Sequence, residues 1–478
     1  MVNESRKPNV LMILTDDQGY WSLGCYGNKE IHTPQLDALA ENGMRFTNFF
    51  CTSPVCSPAR ASILTGLIPS RHGVQDWIKG GNLREDGIDY LEGIEAYTDV
   101  LARNGYDCWL SGKWHLGNSF VPQKSFSHWY VHQKGSGDYF NAPMVRDGKA
   151  VNEPGYITDL ITDDAIECIR NSKGDRPFYL SVHYTAPHNP WDKKQYPDKY
   201  RKMYENASFS DVPQEKAHPQ ATYVYSPEDA RESLIGYYAA VTGVDDNVGR
   251  LIKALEEKGQ LENTLIIFTS DNGFMCGQHG IWGKGNGTFN LNMYDYAVKV
   301  PAIIYHKGRI APAVSDTMLN HYDLFDTILE YCGIEPEKNE KRPGKSFYGL
   351  LLGESREDDS EVVVFSEYGP CRMIRTRECK YIHRYPFGDH EFYDLVSDPG
   401  EKENLYGRPE YENTVEQLRQ KLNEWFVRYA DPELDASREP VRGNGQLCRS
   451  GVYAKGKIAF DQNRKRHTDP DGDPGRNG

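Results

Sequence analysis

Asn9-Val-Leu-Met-Ile-Leu-Thr15, followed at once by Asp16-Asp17-Gln18-Gly19, is the stretch on which the fold reading turns. Its five consecutive apolar residues show no alternation, so they predict a strand covered on both faces, as in a parallel sheet wedged between helices. The two aspartates stand directly at the carboxyl end of that strand. The same juxtaposition recurs along the chain. Strand-like runs at 107–110, 178–183 and 265–269 are followed by Lys113-Trp114-His115, by His188 in Ala-Pro-His-Asn-Pro, and by Asp271-Asn272-Gly273. In a parallel sheet these strand ends lie along one edge, where ligands of open α/β sheets bind. Four segments thus bring carboxylates, an amide, a lysine and two histidines towards one crevice.

Helical signals fall between the strands. Thr33-Pro34 caps and starts a helix that Gly43 stops; a second runs from Cys56–Pro58 to Gly66, a third over 98–104 up to Gly105, and a long one over 231–258. After residue 355 the texture changes to short strands at 361–365, 373–375, 381–384 and 391–395, then one amphipathic helix at 411–429. The expected fold is α/β: a large, mainly parallel central sheet flanked by helices, with a smaller C-terminal antiparallel sheet plus helix. The expected organisation is a catalytic domain over 1–355, a subdomain over 356–435, and an extended, loosely structured tail over 436–478 that carries the basic stretch Arg464-Lys465-Arg466.

The bulk properties exclude several classes. With 478 residues the chain exceeds what one core normally fills. A net charge of −14 disfavours nucleic acid and anionic membranes. No apolar run approaches the ~18 residues of a membrane helix, and Met1–Pro8 lacks the pattern of a signal peptide. The expected compartment is the cytoplasm if the chain is complete, and the periplasm or exterior if a leader was removed. None of the ten cysteines forms a Cys-x-x-Cys pair, so a zinc ribbon or thioredoxin-like site is excluded, and buried reduced thiols are expected. Oligomeric state is not readable.

An Asp-Asp pair alone is ordinarily a helix cap, and Asp-Asn-Gly is ordinarily a turn. Their joint placement after buried strands is what carries information. Three carboxylates and an amide oxygen suit a hard divalent cation such as calcium or magnesium better than zinc. The sharpest signal is Cys56-Ser-Pro-Ala-Arg60, which continues to Leu64-Thr65-Gly66. With proline in the first turn, Cys56 falls at a helix N-terminus, where free N–H groups favour an anion, and Arg60 lies on the same face.

These residues resemble the type I, formylglycine-dependent sulfatases of the alkaline phosphatase superfamily. The resemblance rests on Asp16-Asp17-Gln-Gly, Cys56-Ser-Pro-Ala-Arg60, Gly112-Lys113-Trp114-His115-Leu-Gly, Ala186-Pro187-His188 and Ser270-Asp271-Asn272-Gly273. Later echoes are Arg372-Met-Ile-Arg375 and Tyr393-Asp394-Leu395. The resemblance implies that a maturation enzyme oxidises Cys56 to formylglycine, whose hydrate is the nucleophile. It implies that Arg60 steadies the hydrate, and that Asp16, Asp17, Asp271 and Asn272 hold a cation together with the modified Cys56. Calcium is the usual ion, with magnesium or manganese as alternatives. Lys113 and His115 match the pair beside the nucleophile, and His188 the histidine near the leaving group. Lys284 is the best candidate for a second sulfate-binding lysine, although its spacing to Tyr294 is longer than in many members.

The implied substrate is a sulfate ester of a mono- or oligosaccharide, with an aryl or steroid sulfate as alternative; Trp77, Trp191 and Trp282 are candidate stacking surfaces. A phosphonate monoester hydrolase or phosphodiesterase of the same superfamily is the nearest rival. A cysteine phosphatase would place its arginine six positions after the nucleophile, not four. Gly344-Lys345-Ser346 lacks the first glycine of a P-loop, since Asn339 stands there. The non-enzyme alternative is a carbohydrate-binding protein whose Cys56 stays unconverted.

Overall fold

In the computed structural model of the chain, residues 6–354, 361–366, 371–385, 388–441 and 443–463 are described. The basic stretch 464–466 lies outside them. Ten strands form the central sheet: β1 Asn9–Thr15, β2 Met44–Phe46, β3 Asp107–Gly112, β4 His128–His132, β5 Phe140–Arg146, β6 Lys149–Tyr156, β7 Phe178–His183, β8 Thr264–Ser270, β9 Ala302–Tyr305 and β10 Ala313–Ser315. Their order is β10-β2-β9-β8-β1-β7-β3-β4-β5-β6. The centre, β8-β1-β7-β3-β4, is parallel throughout. On one flank β5 and β6 run antiparallel; on the other, β9 is antiparallel to both β8 and β2.

Strand β1 is buried along its whole length, as its unbroken apolar run requires. Val10, Met12 and Leu14 enter the core on one face, and Leu11 and Ile13 the core on the other. The helices that cover these faces include α1 Pro34–Asn42, α2 Cys56–Thr65, α3 Tyr97–Arg103, α4 Ile157–Asn171, α5 Pro227–Glu257 and α6 Leu324–Tyr331. Thr33 occupies the N-cap position of α1 as expected, but its hydroxyl caps nothing there. It accepts from the Gly24 N–H and bonds Asp37. The free N–H groups of Gln35 and Leu36 are taken instead by the Asp245 carboxylate, at 3.1 and 2.8 Å, from the buried face of α5.

The C-terminal sheet, β11 Glu361–Ser366, β12 Cys371–Thr376, β13 Cys379–Arg384 and β14 Glu391–Asp394, is antiparallel in sequential order. Helix α7, Glu412–Tyr429, lays Leu418, Leu422 and Phe426 on Val363, Ile374, Tyr381 and Phe392, and Ile68 of the larger unit joins the same cluster. Residues 443–463 have little regular structure yet return to the larger unit, where Gln446 bridges to Ile78 and to Phe460. Among the described residues no helix is long and apolar enough to cross a membrane. All ten cysteines are free thiols.

Asp245→Ala strands the buried N–H of Leu36 and the partly buried N–H of Gln35 at the start of α1. It is expected to lower unfolding free energy by about 1–3 kcal/mol in urea titrations, without altering turnover by the native fraction.

Candidate active site

The strand ends align because their ladders run to the last residue. Thr15 pairs with Ser270, while His183 lies beside both Leu14 and Gly112. Backbone bonds continue past the strands: Asp16 N–H donates to Ala186 O, Asp271 N–H to Thr15 O, and Lys113 N–H to His183 O, at 3.0, 3.1 and 2.7 Å. The turn out of β3 needs Gly112. Its φ is 116°, and a Cβ there would lie 1.9 Å from His183 O. Asp17 (φ 62°) and His115 (φ 52°) also adopt left-handed conformations, a strain that surrounding structure must hold in place.

Helix α2 starts at Cys56 and is buried over all ten residues; Gly66, in the left-handed region, closes it. Cys56 Sγ lies 3.1 Å from Asp16 Oδ1, 3.9 Å from Asp17 Oδ1 and 3.0 Å from Lys284 Nζ. The helix N-terminus favours an anion there, but burial, reinforced by Asp16, pushes the thiol far above its ordinary range despite Lys113 and Lys284. Burial therefore disfavours the thiolate of an unmodified Cys56. One turn on, Arg60 Nε donates to Asp271 Oδ2 at 2.8 Å and its Nη1 to Lys113 O at 3.3 Å.

Three buried carboxylates meet here, and each holds one buried cation. Asp16 pairs with Lys113 at 2.5 Å, Asp17 with Lys284 at 2.6 Å and Asp271 with Arg60. Burial works to raise the Asp16 carboxyl, but Lys113, His188, Arg60 and Lys284 outweigh it and hold the group well below the usual range. Asp271 goes the other way, raised by burial and by the Asp16 charge against the pull of Arg60. Ligand atoms of Asp16, Asp17, Cys56 and Asp271 lie within 4.8 Å of one another. The Asn272 amide donates to Asp17 Oδ1 at 2.7 Å, while its buried Oδ1 has no hydrogen-bond partner. An oxygen-rich donor set with an orphaned amide oxygen fits a hard divalent cation.

The histidines are fixed by carbonyls. His115 Nε2 lies 3.0 Å from Ile78 O, so Nε2 carries the proton; its buried Nδ1 has no partner. Burial and Lys113 hold its pKa well below the ordinary range, so the ring is neutral. His188 directs Nδ1–H to Asn189 O at 2.8 Å, leaving Nε2 at 3.6 Å from Asp17 Oδ2. Burial lowers this histidine too, opposed by Asp17 and Asp16.

All ten residues singled out in the sequence thus converge, Lys284 included. Sequence reasoning missed Tyr237, whose hydroxyl donates to Asp17 O and accepts from Gly19 N–H. Ser270, quoted only as part of its motif, uses its hydroxyl to accept from Gln18 N–H. Tyr237 comes from the middle of α5, and nothing local marks it. Trp191 and Trp282 are buried in an aromatic cluster with Tyr237, Phe274 and Tyr225, and so act as core.

Fold and site together describe an enzyme with a mainly parallel central sheet and a charged crevice at the carboxyl ends of its strands. Residues 8–334 match the sulfatase family model, and residues 277–428 match the model of the N-sulphoglucosamine sulphohydrolase C-terminal region. An N-acetylglucosamine-6-O-sulfatase of Bacteroides thetaiotaomicron is 29% identical over 90% of this chain and 88% of its own length. An ulvan-active sulfatase of Formosa agariphila is 31% identical over 90% and 83%. A protein solved with its substrate D-glucosamine-2-N,6-O-disulfate superposes with a TM-score of 0.77 at 26% identity, over 91% of this chain and all of the other. The chain belongs to the sulfatase family and is a sulfuric ester hydrolase.

A divalent ion shared by the three carboxylates would add to the charge that Arg60, Lys113 and Lys284 already supply and would stabilise the folded chain. Thermal unfolding after chelation is expected at a lower temperature, and a divalent ion such as calcium at about 100 times its Kd should add about 3 kcal/mol. A melting temperature indifferent to chelator and calcium would contradict this reading.

Proposed function

We propose that the crevice cleaves the sulfate ester of a sulfated mono- or oligosaccharide, with Cys56 matured to formylglycine and a calcium ion held by Asp16, Asp17, Asp271 and Asn272. The observation that carries this is the charge balance. Three cationic side chains match three carboxylates, so a divalent ion turns a balanced crevice into one of about +2 charge, suited to a sulfate monoester. The saccharide assignment draws support from the activities for which the glucosamine and ulvan relatives are named and from the sulfated glucosamine in the similar structure. A formylglycine-generating enzyme is the maturation partner this reading requires.

When bound, the ion supplies Lewis-acid charge, and the matured residue supplies a hydrated aldehyde, a nucleophile with its own exit from the covalent stage. Arg60, Lys113 and Lys284 hold the sulfate oxygens. They are already fixed by carboxylates and need no reorganisation as charge moves. His115, with Nε2–H committed to Ile78 O, offers Nδ1 as the base that takes a hydroxyl proton beside position 56. His188, with Nδ1–H committed to Asn189 O, hands a proton from Nε2 to the departing alcohol oxygen when the ring is the imidazolium, a charge that Asp17 and Asp16 favour.

Cys56→Ala is expected to abolish turnover while keeping the fold, and intact mass of the parent should show one sulfur and two hydrogens exchanged for one oxygen. A substrate panel tests the class. Sulfated glucosamines should be hydrolysed faster than nitrophenyl sulfate, and nitrophenyl phosphonate slowest; preference for the phosphonate would overturn the assignment. His188→Ala should cost about 10²-fold or more on a sugar sulfate but under about tenfold on nitrophenyl sulfate, whose leaving group needs no proton. Equal losses on both would contradict the role of His188.

A further inference from the structure

His115 is oriented by one hydrogen bond, to the carbonyl of Ile78, and the segment around Ile78 has no regular structure of its own. Its backbone groups are satisfied from the far end of the chain. Gln446, fully buried, accepts the N–H groups of Gln75 and Asp76 at Oε1 (2.9 and 3.4 Å) and donates Nε2–H to Gly73 O at 2.9 Å. Its own backbone N–H donates to Trp77 O at 2.7 Å, and its carbonyl accepts from Lys79 N–H at 2.8 Å. Asp76 in turn accepts the Gly445 N–H at 3.0 Å. Ile78 therefore sits between two backbone bonds to a single tail residue.

Other contacts tie the tail to the start of α2. Val55, which precedes Cys56, packs with Val441, Ala459 and Phe460. The Ser57 hydroxyl accepts Ile78 N–H at 3.1 Å and donates to His115 O at 2.9 Å, so the nucleophile helix, the Ile78 segment and His115 form one closed circuit. At the exposed end, Lys79 pairs with Asp461 at 2.7 Å.

We propose that residues 443–461 are a strap that completes the active site, with Gln446 as a positioning residue. It fixes the Ile78 carbonyl, which holds His115 in the Nε2–H form and leaves Nδ1 free as the base. The proposal rests on the role assigned above to His115. Loss of the strap acts on a catalytic step rather than on substrate capture, because the bonds described for it run to the Ile78 segment and, through it, to His115.

A double-mutant cycle on the full-length protein with 4-nitrophenyl sulfate tests it. Gln446→Ala is expected to lower kcat about tenfold or more, with KM within about twofold, while adding almost nothing in a His115→Ala background. Spectra of the protein labelled with ¹⁵N-histidine should show a protonated Nε2 for His115 that Gln446→Ala releases to mixed tautomers. Should Gln446→Ala not fold, Lys79→Ala opens only the exposed end, and kcat should fall about two- to threefold along the same cycle. Additive losses, or an unchanged kcat and tautomer, would overturn the strap. A fully active His115→Ala would instead overturn the reading of the site on which the strap depends.

Discussion

Three carboxylates from two strand ends converge beside one buried side chain, and their mutual repulsion is the constraint the rest of the structure must satisfy. At separations of a few ångströms in a partly dry interior, like charges cost several kcal/mol unless countered. The protein answers with Arg60 from α2, Lys113 from the end of β3 and Lys284 from the segment after β8, one on each aspartate. On the proposed function the same cations hold the sulfate oxygens, so the pairs that balance the carboxylates would also suit the crevice to an anionic ester.

Holding such a set needs a rigid edge, which the parallel centre of the sheet provides. β8, β1, β7 and β3 are neighbours, so residues far apart in sequence become adjacent without long loops. Strain is concentrated where it serves the site: Asp17 and His115 take left-handed backbone conformations, and the Tyr237 and Ser57 hydroxyls donate to their carbonyls. Burial lowers the pKa of both site histidines and raises that of the Cys56 thiol, while Asp17 and Asp16 oppose the shift at His188.

Much of this was legible because the decisive signals are local. An unbroken apolar run that ends in charged residues marks a buried strand and its functional end together, and β1, β7 and β8 lie where that pattern placed them. The C-terminal hairpins and helix followed from short spacing and one amphipathic stripe. The antiparallel strands β5 and β6 were not legible: Phe-Asn-Ala-Pro-Met-Val-Arg and Lys-Ala-Val-Asn-Glu-Pro-Gly-Tyr each carry a proline and no clean alternation. Long-range partners left no trace either. Asp245 caps a helix about 200 residues away, a distance that pattern reading does not cross. The tail, rich in glycine and charge, read as loose chain; its buried Gln446 works through hydrogen bonds rather than apolar burial.

The central claim is that Asp16, Asp17, Asp271 and Asn272 share one divalent ion next to residue 56. Anomalous diffraction from a calcium-soaked crystal addresses it most directly. The account predicts one strong peak about 2.3–2.6 Å from an oxygen of each of the four side chains. No peak in the crevice, with every carboxylate still engaged only by its lysine or arginine, would contradict it.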